Sequence, residues 1–72
     1  MSGEEYKGTY QHYKGNLYEV VGTVQHSETE ELLVLYFPKS HSGTWWVRPF
    51  TMFFEEIELN GVMTPRFKKI NN

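Results

Sequence analysis

The run Leu17-Tyr18-Glu19-Val20-Val21-Gly22-Thr23-Val24-Gln25, the connection His26-Ser27-Glu28-Thr29-Glu30-Glu31 and the run Leu32-Leu33-Val34-Leu35-Tyr36-Phe37 decide the fold. Successive side chains of a strand point to opposite faces. The first run therefore sets Tyr18, Val20, Gly22 and Val24 against Leu17, Glu19, Val21, Thr23 and Gln25, and the first set reads as the core side. The second run is apolar on both sides and stops at Pro38, as a central strand covered on both faces would. Between them, Ser27 and Thr29 can turn their hydroxyls onto local amides, which favours a turn. A helix capping box over 27–30 is rejected, because the apolar residues that follow are β-rich and end after position 37.

Working outward, residues 8–13 read as a strand with Tyr10 and His12 on one face, closed by the tight-turn signal Lys14-Gly15-Asn16. Residues 39–44 form a surface loop and 45–48 a short strand ended by Pro49. A single 3₁₀ turn suits the apolar cluster around Met52, Phe53 and Phe54. Asn60-Gly61, between 56–59 and the run from Val62, is a type I′ hairpin signal. Pro65 suits only an edge. Five or six short, strongly bent antiparallel strands then imply an all-β domain rolled into a small SH3-like barrel. Its expected core is Val20, Val24, Leu33, Leu35, Trp45 and Val47.

Seventy-two residues make one domain, 1–72, with 1–6 expected as a flexible tail and 71–72 as a frayed end. A domain this small buries only roughly 60% of its unfolded surface. With no cysteine to staple it, stability must come from large side chains, and the chain has five Phe, five Tyr and two Trp. The acidic start Met1-Ser2-Gly3-Glu4-Glu5 is not a signal peptide, and the run 32–37 is too short to span a bilayer. A cytoplasmic setting fits best. The net charge of −2 counts against a generic phosphate-backbone binder. Acids gather at Glu28, Glu30 and Glu31 and at Glu55, Glu56 and Glu58, and bases at Arg66, Lys68 and Lys69.

Several blocks carry a likeness. Gly8, Tyr10, His12-Tyr13-Lys14-Gly15-Asn16, Tyr18 and Val20 are followed by His26-Ser27-Glu28-Thr29, Trp46-Val47-Arg48-Pro49, Met52-Phe53 and Pro65-Arg66-Phe67. In this order they resemble the bacterial family catalogued as domain of unknown function 1653, over about residues 8–67. The resemblance implies a stand-alone small cytoplasmic protein of SH3-like barrel type, and it brings no activity with it.

The candidate chemistry is mostly recognition. His12, His26 and His41 could hold zinc only if the fold gathered them, and no pair has the short spacing of a structural site, so no metal and no cofactor is expected. His26 reads instead as a partly buried residue pinning the turn after it. Nucleophilic catalysis needs a nucleophile, a base and an orienting group. A hydrolase-like centre on His26 and Glu28, with Ser27, Ser40 or Ser42 in support, is the weakest of three readings. Arg48 is the sharper signal. Alternation puts Trp46 and Arg48 on one face, opposite Trp45 and Val47, as a ring beside a guanidinium. The plain alternative is an ion pair of Arg48 with Glu19 or Glu56. Arg66 offers a second anion-binding arm, or simply a charge guarding an edge strand.

The leading reading is a non-catalytic module that binds a peptide, nucleotide or modified base. Its aromatic groove would hold Tyr10, Tyr13, Tyr18, Tyr36 and Trp46, with His26, Glu28, Arg48 and Arg66 as polar partners. The second reading is an RNA-binding module in which the same rings stack unpaired bases. The histidine spacing predicts that protein purified without chelator carries no stoichiometric zinc. Elemental analysis finding one zinc per chain, lost in His12→Ala or His26→Ala, would overturn that.

Overall fold

The computed structural model describes residues 4–41 and 43–71. Ser42, named above as a supporting hydroxyl, lies outside the described residues, as do residues 1–3 and 72 of the two expected loose ends. The described chain is all-β. A 3₁₀ turn at Glu4–Tyr6 leads to β1 (Gly8–His12), β2 (Leu17–Gln25), β3 (Leu32–Pro38) and β4 (Trp46–Pro49). One helical turn, α1 (Phe50–Phe53), precedes β5 (Glu56–Leu59), β6 (Val62–Pro65) and β7 (Phe67–Asn71). No helix among the described residues is long and apolar enough to cross a membrane.

Seven strands, not five or six, form two antiparallel sheets. The larger runs β4-β3-β2-β1-β7 and the smaller is the β5–β6 hairpin. Neither closes, so the expected barrel is replaced by one open five-stranded sheet with a hairpin attached to it. The reason lies in the chain order: β5 and β6 satisfy their ladders on each other across Asn60 and Gly61, at φ 53° and 82°. Those paired positive φ values are what a type I′ turn requires. The hairpin is tied back where Arg66 N donates to Glu55 O at 3.0 Å and Tyr13 N donates to Arg66 O at 3.0 Å.

The core lies on one face of the large sheet, where Tyr10, Val20, Val34, Tyr36, Phe53 and Phe67 are buried. Of the expected core only Val20 is among them. Trp45 and Val47 are more than half exposed, Val24 is exposed, and Leu33 and Leu35 are half-buried on the opposite face. Two causes account for the inversion. In β3 both faces are apolar, so alternation alone cannot choose between them. In β2 a register shift between Val20 and Gly22 makes Val21 an extra residue. A bulge of this kind reverses the facing of everything beyond it. Val20 pairs with Tyr36 and Thr23 with Val34, which puts Thr23 rather than Val24 on the core side.

Phe50–Phe53 is an α turn where a 3₁₀ turn was expected, since Phe54 N donates to Phe50 O at 3.2 Å. Pro49 at its start has no N–H to leave unpaired. The turn drives Phe53 into the core, where it stacks on Phe67 with centroids 4.1 Å apart and an interplanar angle of 1°. The 3₁₀ turn at Glu4–Tyr6 meets the sheet through Tyr6. The Tyr6 ring packs edge-on against Phe50 at 5.1 Å, and Tyr6 O accepts from the Tyr10 hydroxyl at 3.0 Å. Asn71, expected to fray, pairs with Thr9.

This arrangement ranks the side chains by their energetic weight. Phe53→Ala is expected to cost about 3–5 kcal/mol, as for other fully buried rings. Val47→Ala, on the exposed face, should stay within about 0.5 kcal/mol. Urea denaturation of the two variants beside the parent checks the order, and equal costs would contradict the assigned core face.

Candidate functional site

The site begins where the core reaches the sheet surface. On β3 and β4, Tyr36 pairs with Trp46 and Val34 with Arg48, so Trp46 and Arg48 share the face of the buried residues. The spacing of two places them together as expected, but on the core side rather than the far side. Trp46 is 43% exposed while Arg48 is half-buried. The Trp46 ring stands edge-on to Tyr36, centroids 5.9 Å apart, and is tilted against Tyr18 at 6.1 Å.

Arg48 Nε donates to the Tyr36 hydroxyl at 3.3 Å, and the guanidinium carbon lies 5.8 Å from the Phe67 centroid. Neither acid named as an alternative partner takes it. Glu19 accepts from Thr9 Oγ1 at 2.8 Å and faces Lys39 at 3.7 Å. Among the described residues Arg48 forms no salt bridge, and only the pairs Lys39–Glu19 and Arg66–Glu55 do.

His12, at the end of β1, completes the cluster. Its ring is edge-on to Phe67 at 4.9 Å and to Tyr18 at 6.2 Å, and beside Tyr13 at 4.4 Å. Its Nδ1 accepts from Lys14 N at 3.2 Å, which leaves the proton of the neutral ring on Nε2. Burial, and after it the positive charges of Arg66, Lys14 and Arg48, hold this imidazole below the ordinary histidine range. Three cations therefore bear on this one imidazole in a protein whose net charge is −2.

Next to the rings, two shallow clefts of about 490 and 500 Å³ adjoin, sharing Asn16, Tyr18, Pro38 and Ser40. Trp46, His41 and Thr44 wall the second. Gly15, at φ 109°, makes the tight turn before Asn16 and opens the near side of the first.

The nine residues singled out in the sequence therefore divide. Tyr18, Tyr36, Trp46 and Arg48 come together, with Tyr13 beside His12 at the margin. Tyr10 is buried behind them against Phe53, and burial, then Tyr6, raises its phenol above the usual range. Arg66 is drawn aside by Glu55, its Nη2 3.0 Å from Oε2, while its buried Nε has no hydrogen-bond partner among the described residues. His26 and Glu28 sit at the far tip of the β2–β3 hairpin, roughly 25 Å of strand from Tyr18 at 3.3 Å per residue. There His26 is exposed rather than partly buried, and it does pin its turn. Its Nδ1 accepts from Glu28 N at 3.1 Å and from Thr29 N at 3.3 Å. The Glu28 carboxylate takes no part in that contact.

Two members were missed as parts of this site, His12 and Phe67. The signal for His12 was its place two residues from Tyr10 on the same face of a strand; it was weighed only as a metal ligand. Phe67 carried no local signal, because its partners are all remote in sequence. No group of three or more His, Cys, Asp or Glu positioned to hold a metal occurs among the described residues.

Fold and site define a small all-β domain with an aromatic face ending in a guanidinium held by a phenol hydroxyl rather than a carboxylate. The chain belongs to the family described as "Protein of unknown function (DUF1653)", whose model matches residues 8–69. It is similar to a crystal structure of a protein of that family from Bordetella bronchiseptica, with a TM-score of 0.79 and 29% sequence identity. The match covers 89% of this chain and 85% of that one. No curated protein matches.

The electrostatics of His12 are open to direct measurement. Arg48→Gln removes one of the cations facing it, so the His12 pKa should rise, yet stay below that of free histidine because desolvation persists. The sign for stability follows: the folded pKa lies below the unfolded value near 6.5, so this group costs nothing above that pH and destabilises the fold as pH falls through it. An NMR titration of the imidazole in both proteins checks the shift, and an unchanged value would remove Arg48 from the site's electrostatics.

Proposed function

We propose that this chain is a small bacterial, cytoplasmic, non-catalytic recognition module that binds a peptide, nucleotide or modified base on the face built by Tyr18, Tyr36, Trp46 and Arg48. One observation carries the reading: a half-buried guanidinium, oriented by the Tyr36 hydroxyl, shares a strand face with the exposed Trp46 two residues away and has no carboxylate partner among the described residues. A guanidinium without an acid still presents a planar fork of donors, suited to carboxylate or phosphate. Aromatic rings with a few fixed polar groups are the usual lining of small recognition pockets. A bent sheet presenting such rings is also how SH3-like barrels bind, which is support by analogy of fold.

The reading assigns each residue a separate task. Tyr18 and Trp46 give flat apolar area with little rotamer entropy to lose. Tyr36 fixes the guanidinium and so reduces what binding must order. His12, kept neutral, can donate from Nε2 or accept a proton when an anion arrives.

A panel of short peptides and of nucleotides, screened by amide and indole NMR shifts, tests the proposal. The expected outcome is a binder that moves Trp46 and Arg48, and whose affinity falls about tenfold to hundredfold in Arg48→Ala, the worth of a charged hydrogen-bonded contact. Arg48→Lys should fail similarly, because lysine keeps the charge and loses the fork. Stability should fall by only about 0.5–1.5 kcal/mol, the worth of the lost bond to Tyr36. Full binding with a large loss of stability in both variants would make Arg48 a structural residue and end the proposal.

A further inference from the structure

The charges around the aromatic face are nearly all engaged. Arg66 is held by Glu55 and Lys39 by Glu19. Lys69 Nζ donates to Glu5 O at 3.1 Å, and Lys14 lies 5.8 Å from the Tyr13 ring centroid. Among the described residues Arg48 remains the half-buried cation on this face held by a hydroxyl and a ring, Tyr36 and Phe67, with no carboxylate. The complementary ligand thus carries a single anionic group. A polyanion needs several phosphate contacts and a basic surface to meet them, and a net charge of −2 with one half-buried guanidinium free of a carboxylate on this face does not supply that.

Beside this cation the ligand meets rings. Trp46 is two residues before Arg48 on the same side of β4, about 7 Å away at the rise of a strand. Trp46 and Tyr18 also wall the cleft of about 500 Å³, so a flat group lying there has its far side open to solvent. Pro38 and Thr44 border that flat group, and no charged carboxylate lines the cleft to repel an anion. Arg48 does not line the cleft but adjoins it through Tyr36, whose hydroxyl it holds and whose ring lies 5.9 Å from Trp46, so cation and ring are offered at the short span that a single nucleotide bridges.

We infer that the Tyr18–Trp46 cleft with Arg48 takes a nucleoside monophosphate, the base stacked on Trp46 and the phosphate in the fork of Arg48. This rests on the recognition reading above and narrows it to one ligand class. An extended peptide would instead pair its backbone with the open edge of β4, and Arg48-dependent peptide binding is the competing outcome of the test. His12 lies on the same face, where burial and then the cations Arg66, Lys14 and Arg48 disfavour its protonation, and an arriving phosphate would offset the part due to the cations.

Adenosine and uridine monophosphates, the matching nucleosides, inorganic phosphate and a short single-stranded oligoribonucleotide are titrated separately against the ¹⁵N-labelled chain, with the Trp46 indole as reporter. The monophosphates are expected to bind and the nucleosides to bind about tenfold to hundredfold more weakly. Inorganic phosphate should shift the Arg48 side chain while leaving the indole in place. Trp46→Ala, at an exposed position, and Arg48→Gln should each lose the monophosphate with the remaining spectrum intact. Nucleosides binding as tightly as their monophosphates would overturn the inference, as would an oligoribonucleotide gaining about tenfold with each added base. No response to any monophosphate would overturn it too. If a peptide then binds in an Arg48-dependent manner, the recognition reading stands without the nucleotide; if nothing depends on Arg48, both fall.

Discussion

The parallel stack of Phe53 on Phe67 is the contact on which the rest of the molecule depends. Phe53 arrives from a single helical turn after β4, and Phe67 from the start of β7, after the separate hairpin. Their contact fastens the helical turn after one edge strand, β4, onto the opposite edge strand, β7, of the same sheet. Both rings also lie within 6 Å of Tyr36, edge-on. Phe67 further meets Tyr18, His12 and Arg48. A chain this small, without disulfides, has little apolar area to bury. The rings that wall its groove, Tyr18 and Trp46, therefore pack directly on the core ring of Tyr36, at 5.6 and 5.9 Å. Core and site are one aromatic lattice seen from two sides.

That sharing explains the setting of Arg48. A guanidinium next to a carboxylate gains Coulomb energy but leaves little donor capacity for a ligand. A phenol hydroxyl orients it while leaving its charge unneutralised. Around it the acids are committed elsewhere: Glu19 to Thr9 and Lys39, Glu55 to Arg66. The protein is acidic as a whole, yet three cations, Arg66, Lys14 and Arg48, bear on His12, whose protonation burial already disfavours.

Much of the architecture was legible because it is written in local chemistry. Asn60-Gly61 names its turn, the alternation of residues 17–20 sets its face, and Pro38 and Pro49 end their strands. The strand pairings of Tyr36, Trp46 and Arg48 were partly legible, since a spacing of two must share a side. Which side was not, because residues 32–37 are apolar throughout and the choice is made by neighbours across the sheet. Closure into a barrel was expected from strand count, a property that hydrogen-bond partners decide and composition does not. Of the site, Tyr18, Tyr36, Trp46 and Arg48 were found from residue type and order. Grouping His26 and Glu28 with them overlooked the length of β2, which carries the hairpin tip away from the groove. His12 and Phe67 join the site only through contacts remote in sequence.

The extra residue at Val21 acts on β2 as a frameshift acts on a message. Up to Val20 the strand is read in one phase and from Gly22 in the other, so identical substitutions one step apart obey opposite rules. A polar residue is accepted at 23 on the inner phase, where Thr23 sits opposite Val34, while valine at 24 faces out. Among members of this family, any change of length between 20 and 22 would interchange inner and outer residues over the distal half of the hairpin and leave Tyr18, and with it the groove, in its original phase.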